Sequence, residues 1–303
     1  METRRSNSPS NEYLYGQPFY PATPLSWLAP LWSFVCGVAA SAAWTWTGSH
    51  LLRLLSGLLL VGPLLGMAWA ASTQTSWREE PVDDPPDNTT QESIPALPYT
   101  LSGSAGHRLG TRLSTALTWW RQVEPRLGRP LLQLVGSTIF SLTVAAQLGQ
   151  HTLALTIAVL VIAYASGFGR GPWASHPIAS ISFPLFTAWL LGHAVYNVPR
   201  PVSVLAAASF SLAFYGSSVL NKRLEPVAKG LTWQVAPQVA AVASLIAVKQ
   251  PVAAAVVALL GTPQLLLAPL LETEHGREQY FRAVQLHLVI SMFLTALALG
   301  YKP

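Results

Sequence analysis

The stretch Leu131–Leu148 reads LLQLVGSTIFSLTVAAQL, and the stretch Leu153–Phe168 that follows it reads LALTIAVLVIAYASGF. Neither stretch contains a charged residue, and only the short segment GQHT separates them. A helix that crosses a bilayer needs roughly 17 to 25 mostly apolar residues. Because both stretches are close to that length, the pair predicts a transmembrane helical hairpin.

Seven further stretches share this apolar character, and none carries a charge deep inside it. Together with the hairpin they predict an all-α membrane protein with nine transmembrane helices. Besides Pro30 near the start of the first stretch, five prolines lie well inside these stretches, where they predict kinks or tilted helices. The seven stretches are Leu28–Thr47, Leu52–Ala71, Ile178–Tyr196, Val202–Leu220, Trp233–Val248, Val252–Leu271 and Ala283–Tyr301, and the prolines are Pro63, Pro184, Pro237, Pro263 and Pro269.

The composition of the 303-residue chain agrees with this interpretation. Hydrophobic residues make up 51% of the chain and charged residues only 10%, with a mean hydropathy of +0.37. Soluble domains usually carry about 25% charged residues, because their surface faces water. One cysteine, Cys36, excludes a disulfide framework and a cysteine-based metal site. No nucleic-acid-binding motif is present, so the net charge of +5 is interpreted through membrane topology.

The distribution of charge predicts the orientation. We expect a disordered cytoplasmic tail at residues 1–25, a nine-helix transmembrane domain at residues 26–303, and a long cytoplasmic loop at residues 72–130. In this topology all thirteen acidic residues lie on the cytoplasmic side and the C-terminus lies on the opposite side. Of the eighteen basic residues, only Arg53, Arg200, Lys249 and Lys302 lie opposite the cytoplasm, as the positive-inside rule predicts.

The absence of deep intramembrane charge in the predicted spans argues against several function classes. Pumps, voltage sensors and proton-coupled transporters use charged side chains inside the membrane, because charge is what they move or sense. The pattern favours a protein whose membrane core holds an apolar molecule. Within the spans, Gln238 is a polar residue that could order a substrate or join two helices.

Several segments, in order along the chain, resemble one family. Residues 31–41 read LWSFVCGVAAS, residues 57–65 read GLLLVGPLL, and residues 206–220 and 236–242 read AAASFSLAFYGSSVL and APQVAAV. They are similar to helices of the UbiA superfamily of intramembrane prenyltransferases, most closely the chlorophyll and bacteriochlorophyll synthases. Ala163–Ser166 is similar to a Tyr-Ser position in the same family. The resemblance implies a UbiA-type bundle of nine helices with a cytoplasmic second loop.

The resemblance also implies an activity. In the family, two acidic motifs hold Mg²⁺, which grips the diphosphate of a geranylgeranyl or phytyl donor while a chlorin or aromatic acceptor is prenylated. Metal ions are needed because the leaving diphosphate is highly anionic. The first motif reads Asn-Asp-x-x-Asp-x-x-x-Asp and follows the second helix. Here, aligned on Trp77, the matching residues are Thr75, Ser76, Glu79 and Asp83, so that Glu79 and Asp83 are the remaining candidate metal ligands.

The second motif departs further from the family. The synthases read LNDFKSVEGD where this chain reads LNKRLEPVAK over residues 220–229. Asn221 is kept, but Lys222 replaces the first aspartate, Arg223 follows it, and Glu225 supplies a single carboxylate. A cation about 4 Å from a metal ion repels it by roughly 4 kcal/mol at an effective dielectric of 20. We therefore expect the second Mg²⁺ site to be lost.

Three functions remain open. In the first, the chain is a catalytically degenerate relative that binds a pigment or isoprenoid as an accessory or assembly subunit of a photosynthetic complex. In the second, it is an active prenyltransferase in which Lys222 and Arg223 bind the diphosphate directly. In the third, it is an unrelated transporter or scaffold. A lipid-facing groove lined by small residues would favour the first two, and a polar pathway would favour the third.

The resemblance implies ligands and a location as well. Besides membrane lipid, the candidate ligands are (bacterio)chlorophyll, carotenoid and quinone, with Mg²⁺ as a cofactor only if the protein is active. His193 and His287 lie inside predicted spans and could coordinate the central Mg²⁺ of a chlorin, or could hydrogen-bond a neighbouring helix instead. The inner or photosynthetic membrane is the expected location, with subunits of a photosynthetic membrane complex as possible partners.

Overall fold

A computed structural model describes residues 28–42, 47–72, 131–168, 177–221 and 224–301. Within these ranges the chain forms nine helices and no strand, which confirms the all-α prediction. The predicted tail at residues 1–25 and almost all of the predicted loop lie outside the described residues. In chain order the helices are α1 (Ala29–Ala40), α2 (Gly48–Ser72), α3 (Leu131–Leu148), α4 (Gln150–Phe168), α5 (Pro177–Ala194), α6 (Pro201–Asn221), α7 (Val227–Ala247), α8 (Pro251–Leu266) and α9 (Glu274–Gly300).

Each helix overlaps one of the nine apolar stretches, but the ends differ. Helix α9 begins nine residues before the predicted span, because Thr273 Oγ1 accepts a hydrogen bond from the Gly276 amide at 3.1 Å and caps the helix there. Helix α7 begins directly after Pro226 and therefore includes the polar residues before Trp233. Counting apolar residues finds the part of a helix inside the bilayer, and the cap decides where the helix itself starts.

Five of the nine helices are both long and apolar enough to cross a membrane, namely α2, α3, α6, α7 and α9. Three further helices are apolar but shorter. They are α1 with 12 residues, the part of α4 at Gln150–Ser166, and α8 with 16 residues. Several apolar helices of this kind support an integral membrane protein.

The prolines act locally, as expected. Pro63 lies in a π-helical turn, Leu60–Leu64, that interrupts α2. Pro263 lies inside α8 and has no amide to bond the carbonyl of Leu259, four residues earlier. The Thr262 hydroxyl donates to that carbonyl at 2.7 Å instead. A side chain thus satisfies a backbone group that an apolar surrounding would otherwise leave unpaired.

Helix α1 packs closely against α5 because glycines on both helices let their backbones approach. A side chain at Gly37 of α1 would come closer than 3.0 Å to the carbonyl of Trp189 in α5. In return, a side chain at Gly192 of α5 would collide with the carbonyl of Phe34. Such close backbone approach at small residues is a main way by which helices associate in membranes. The α1–α5 pair fixes the frame on which both regions described below are built.

Candidate functional site

The end of α6 carries the described part of the degenerate second motif. The last helical residue, Asn221, is exposed, and the amide of Leu224 closes the turn by donating to the Val219 carbonyl at 3.1 Å. Glu225 accepts a hydrogen bond from Lys229 Nζ at 2.8 Å, one turn away. The carboxylate that could have compensated for the lost aspartate is therefore neutralised by a neighbouring cation. Lys222 and Arg223 lie outside the described residues, as do Thr75, Ser76, Glu79 and Asp83.

The residues described at this motif do not fit a Mg²⁺ site. Mg²⁺ in proteins is usually held by one or two carboxylates together with water and phosphate oxygens. Glu225 is the one carboxylate of the segment 220–229, and one of its oxygens already pairs with Lys229, so the segment supplies fewer carboxylate ligands than the related motif. Within the ranges that the structure describes, no three His, Cys, Asp or Glu side chains gather as a possible metal site.

A cavity of about 420 Å³ lies between α1, α2, α4 and α5. Its wall on α2 includes Gly62, Gly66 and Trp69, and Trp69 stacks on Phe183 of α5 with ring centroids 5.9 Å apart. Along the chain, Trp69 is only six residues before Thr75, where the first acidic motif begins. This cavity is therefore the described space nearest in sequence to that motif.

The lining of the cavity is almost entirely apolar. Thr187 of α5 is the hydroxyl-bearing residue of the lining, and its Oγ1 donates to the Phe183 carbonyl of its own helix at 2.8 Å. Pro63, Met67 and Ala70 also border the cavity and have exposed surface, so that it opens sideways, toward the bilayer in a membrane-embedded protein. A sideways-opening apolar cavity suits an aliphatic ligand that arrives from lipid.

A second, contrasting region lies among α7, α8 and α9, where four buried polar side chains are connected by hydrogen bonds. Gln238 of α7 and Gln264 of α8 form two reciprocal amide hydrogen bonds of 2.7 and 2.9 Å. Gln238 also donates to the Gln234 carbonyl at 2.9 Å, and the hydroxyl of Tyr280 in α9 donates to Gln234 Oε1 at 3.0 Å. Gln238 thus joins two helices, which is one of the two roles predicted for it. Gln264 and Tyr280 were missed, because their partners are distant in sequence.

His193 is fully buried near the end of α5. Its Nδ1 lies 3.1 Å from the hydroxyl oxygen of Ser203 in α6, and that oxygen also accepts a hydrogen bond from Trp189 Nε1 at 2.9 Å. Because the indole N–H can only donate, the serine hydroxyl proton is available to the imidazole. His193 therefore makes the helix-to-helix hydrogen bond that was the alternative to pigment ligation.

His287 of α9 has a different environment. It is half-buried, and its Nδ1 lies 2.7 Å from the carbonyl of Ala283 in the same helix. Since a carbonyl can only accept, Nδ1 carries the proton, and the lone pair of a neutral imidazole is then on Nε2. Metal-ligating histidines typically donate their other ring N–H in this way. The neighbouring residues Leu286 and Ile290 are exposed, so His287 lies near the lipid-facing side of α9.

Comparison with known proteins agrees with the resemblance found in the sequence. The chain is 27% identical over 300 residues to the bacteriochlorophyll synthase 34 kDa chain of Chloroflexus aurantiacus, covering 90% of this chain and 86% of that protein. It is also 28% identical over 117 residues to the bacteriochlorophyll synthase 33 kDa chains of Rhodobacter capsulatus and Cereibacter sphaeroides. Those two matches cover 34% of this chain and 38% of each relative.

No protein-family model and no solved structure matches the chain. All three relatives, from three organisms, are nevertheless chains of bacteriochlorophyll synthase, and one of them aligns with most of this chain. The predicted resemblance to the bacteriochlorophyll synthases of the UbiA superfamily is thereby confirmed.

Proposed function

We propose that this protein is a catalytically degenerate relative of the bacteriochlorophyll synthases, which binds a pigment or isoprenoid as an accessory or assembly subunit of a photosynthetic membrane complex. The observation that carries the proposal is the replacement of the second acidic motif by basic residues. Lys222 stands where the related enzymes place a metal-binding aspartate, and Lys229 engages Glu225 at 2.8 Å. A site that repels a divalent cation cannot neutralise a leaving diphosphate by the family's route.

The proposed architecture has nine spans, with all nine helices crossing the bilayer in the UbiA-type arrangement. The short helices α1 and α8 are apolar and lie side by side with longer ones, so local thinning of the bilayer accommodates them. The N-terminus is then cytoplasmic, the C-terminus lies on the opposite side, and the location is the inner or photosynthetic membrane. Residues 1–25 form the tail and residues 72–130 the cytoplasmic loop in this topology.

Two features support a pigment or isoprenoid ligand. The cavity between α1, α2, α4 and α5, called the α2 cavity below, is apolar, has small residues such as Gly62, Gly66 and Ala70 in its α2 wall, and opens sideways, as expected of a site for a lipid-soluble molecule. His287 has its Nδ1 proton held by the Ala283 carbonyl, so that Nε2 would be the atom that binds the Mg²⁺ of a chlorin. His193 is the weaker of the two candidates, because it is enclosed and hydrogen-bonded between helices.

A second candidate function is an active prenyltransferase with a different way of holding the diphosphate. The adjacent cations Lys222 and Arg223 favour it, since both side chains are good phosphate ligands. Glu79 and Asp83 would then hold a single Mg²⁺, and Asn221, Thr75 and Ser76 would lie around the diphosphate. If bound there, the metal would supply charge neutralisation for the leaving group.

One experiment separates the two candidates. The protein is purified in mild detergent, its absorption spectrum is recorded, and transfer from geranylgeranyl diphosphate to chlorophyllide a is assayed with and without Mg²⁺. We expect a co-purifying or added chlorin to bind and no Mg²⁺-dependent turnover to occur. Turnover that requires Mg²⁺ and falls in the Asp83→Asn variant would contradict the proposal and establish the enzyme. The absence of any bound or bindable chlorin or isoprenoid would contradict both.

A further inference from the structure

We propose that the α2 cavity holds the isoprenoid chain of the ligand, and that Gly66 sets the space available to that chain. This inference rests on the proposed function and deepens it, because it assigns one part of the ligand to one set of residues. It makes Gly66 a specificity-determining residue rather than a packing glycine.

The surroundings of Gly66 differ from those of the glycines at helix crossings. A side chain built at Gly66 meets nothing within 4 Å in the described part of the chain, although the residue lies in the wall of the cavity. Four residues earlier, Gly62 also lines the cavity, and a side chain there would come within 3.0 Å of Leu31 of α1. Both glycines therefore border the same space. At Gly66 the missing side chain therefore leaves empty space, whereas Gly62 has a neighbour.

The backbone next to Gly66 is also irregular. The π-helical turn Leu60–Leu64, with Pro63 inside it, ends two residues before Gly66. Single π turns inside α-helices occur frequently at functional sites, because they shift the faces of the helix before and after them. Here Val61, Pro63 and Leu65, from the turn and directly after it, border the same cavity as Gly66.

The character of the cavity identifies the part of the ligand that fits it. The Thr187 hydroxyl is hydrogen-bonded within its own helix, and the rest of the wall is almost entirely apolar. The cavity therefore offers few polar groups that could orient a macrocycle. Its volume of about 420 Å³ is near the lower end of the ~300–1,000 Å³ usual for small-molecule sites. A single flexible chain matches these properties. Tailed chlorins, many quinones and prenyl diphosphates share an isoprenoid chain, so the assignment covers most of the candidate ligands.

The test compares two chlorins that differ in the chain alone. Chlorophyll a carries a phytyl chain, and chlorophyllide a lacks it. The full-length protein in detergent is titrated with each, following the absorption of the chlorin. We expect Gly66→Leu to weaken the binding of chlorophyll a by about tenfold or more. The new side chain would displace about two carbons of the phytyl chain from the cavity, and the lost burial of about two carbons corresponds to about that factor. Binding of chlorophyllide a should stay within about twofold.

Gly136 of α3 supplies the matched control. A side chain there also meets nothing within 4 Å, yet Gly136 does not border the cavity. The Gly136→Leu variant should therefore bind both chlorins as the unmodified protein does. Gly66→Ala is the milder second variant, which keeps the test available if Gly66→Leu does not fold; it should weaken chlorophyll a by a smaller factor in the same direction.

Each remaining outcome overturns one of the two proposals. If the unmodified protein binds neither chlorin and no other pigment or isoprenoid co-purifies with it, the proposed function fails. If it binds both and the Gly66 variants change neither affinity, or change both equally, the assignment of the chain to this cavity fails while the function stands. A chlorophyllide esterified with a straight C18 alcohol separates an isoprenoid from an ordinary acyl chain. Equal binding of that ester and of chlorophyll a would overturn the isoprenoid assignment in favour of a general lipid site.

Discussion

Gly66 of α2 and Gly216 of α6 are both glycines inside transmembrane helices, but their surroundings are opposite. A side chain at Gly66 would project into open space beside an apolar cavity. A side chain at Gly216 would come closer than 3.0 Å to the backbone of Trp233 and Gln234 in α7. At Gly66 the missing side chain leaves empty space, whereas at Gly216 it allows the backbones of α6 and α7 to touch. The same residue type therefore marks a ligand space in one half of the bundle and a helix contact in the other.

The two halves also differ in polarity. On the cavity side, the hydroxyl of Thr187 is bonded within its own helix. On the α7–α9 side, Gln234, Gln238, Gln264 and Tyr280 are buried and bond one another across three helices. Polar groups in an apolar surrounding are costly unless they are paired, so a paired set fixes helix positions. The α7–α9 region is therefore joined by side-chain hydrogen bonds between helices, a kind of contact that Thr187 does not make in the cavity wall.

The largest effect is expected from Gly216→Ala. The added methyl group meets backbone atoms of α7, which cannot move aside as a side chain can, so α6 and α7 must separate. We expect a loss of about 3 kcal/mol of stability, the upper part of the range for overpacking. Thermal unfolding in detergent, followed by the fraction of helical protein that remains in solution, measures it.

The matched control for Gly216→Ala is Gly66→Ala, in which the same methyl group enters open space. Alanine favours a helix over glycine by about 1 kcal/mol, so this variant should be as stable as the unmodified protein or more stable. Similar destabilisation by both substitutions would mean that the two halves do not differ in packing, and the comparison would fail.

An intermediate effect is expected from Gln264→Leu. The substitution removes both hydrogen bonds between Gln264 and Gln238 and leaves Gln238 Oε1 buried without its partner. The expected cost is about 1 to 3 kcal/mol. If the loss comes from the unpaired amide, the double variant Gln238→Leu, Gln264→Leu should be less destabilised than the sum of the single variants, because both polar groups are then absent. Additive losses in that thermal-unfolding cycle would contradict the pairing.

The sequence predicted the helical part of the fold well, since each of the nine apolar stretches overlaps one helix. Apolar stretches of this length have few alternatives to a helix, so composition alone locates them. Caps and turns decide the ends, and these depend on single residues. Thr273 extends α9 backward, and the chain after Leu266 tightens into a 3₁₀ turn at Ala268–Glu272 instead of continuing α8.

The site was harder to predict than the fold. Motif comparison found Lys222, which stands where the resemblance expects an aspartate, and Glu225, the one carboxylate of the segment 220–229. It could not find the ion pair between Glu225 and Lys229 or the open space at Gly66, since both depend on atoms placed by folding. Nor does a glycine in a sequence show whether it faces a cavity or a neighbouring helix. Three-dimensional packing supplies that information.

The smallest effect is expected from Tyr280→Phe, which tests whether the polar set reaches α9. The hydroxyl of Tyr280 makes one hydrogen bond, to Gln234 Oε1 at 3.0 Å, and both side chains are fully buried. Side-chain hydrogen bonds between membrane helices contribute about 0.6 kcal/mol on average and at most about 1.7. We expect a loss in that range, visible as a small decrease in the thermal midpoint. Because phenylalanine keeps the ring, the aromatic contact with Phe281, at 5.4 Å between centroids, should persist.

The Gln234→Leu variant in the Tyr280→Phe background should cause less further loss of stability than Gln234→Leu alone. If the two losses add fully, the hydroxyl of Tyr280 does not act through Gln234. The hydrogen bonds between helices are then confined to the Gln238–Gln264 pair of α7 and α8.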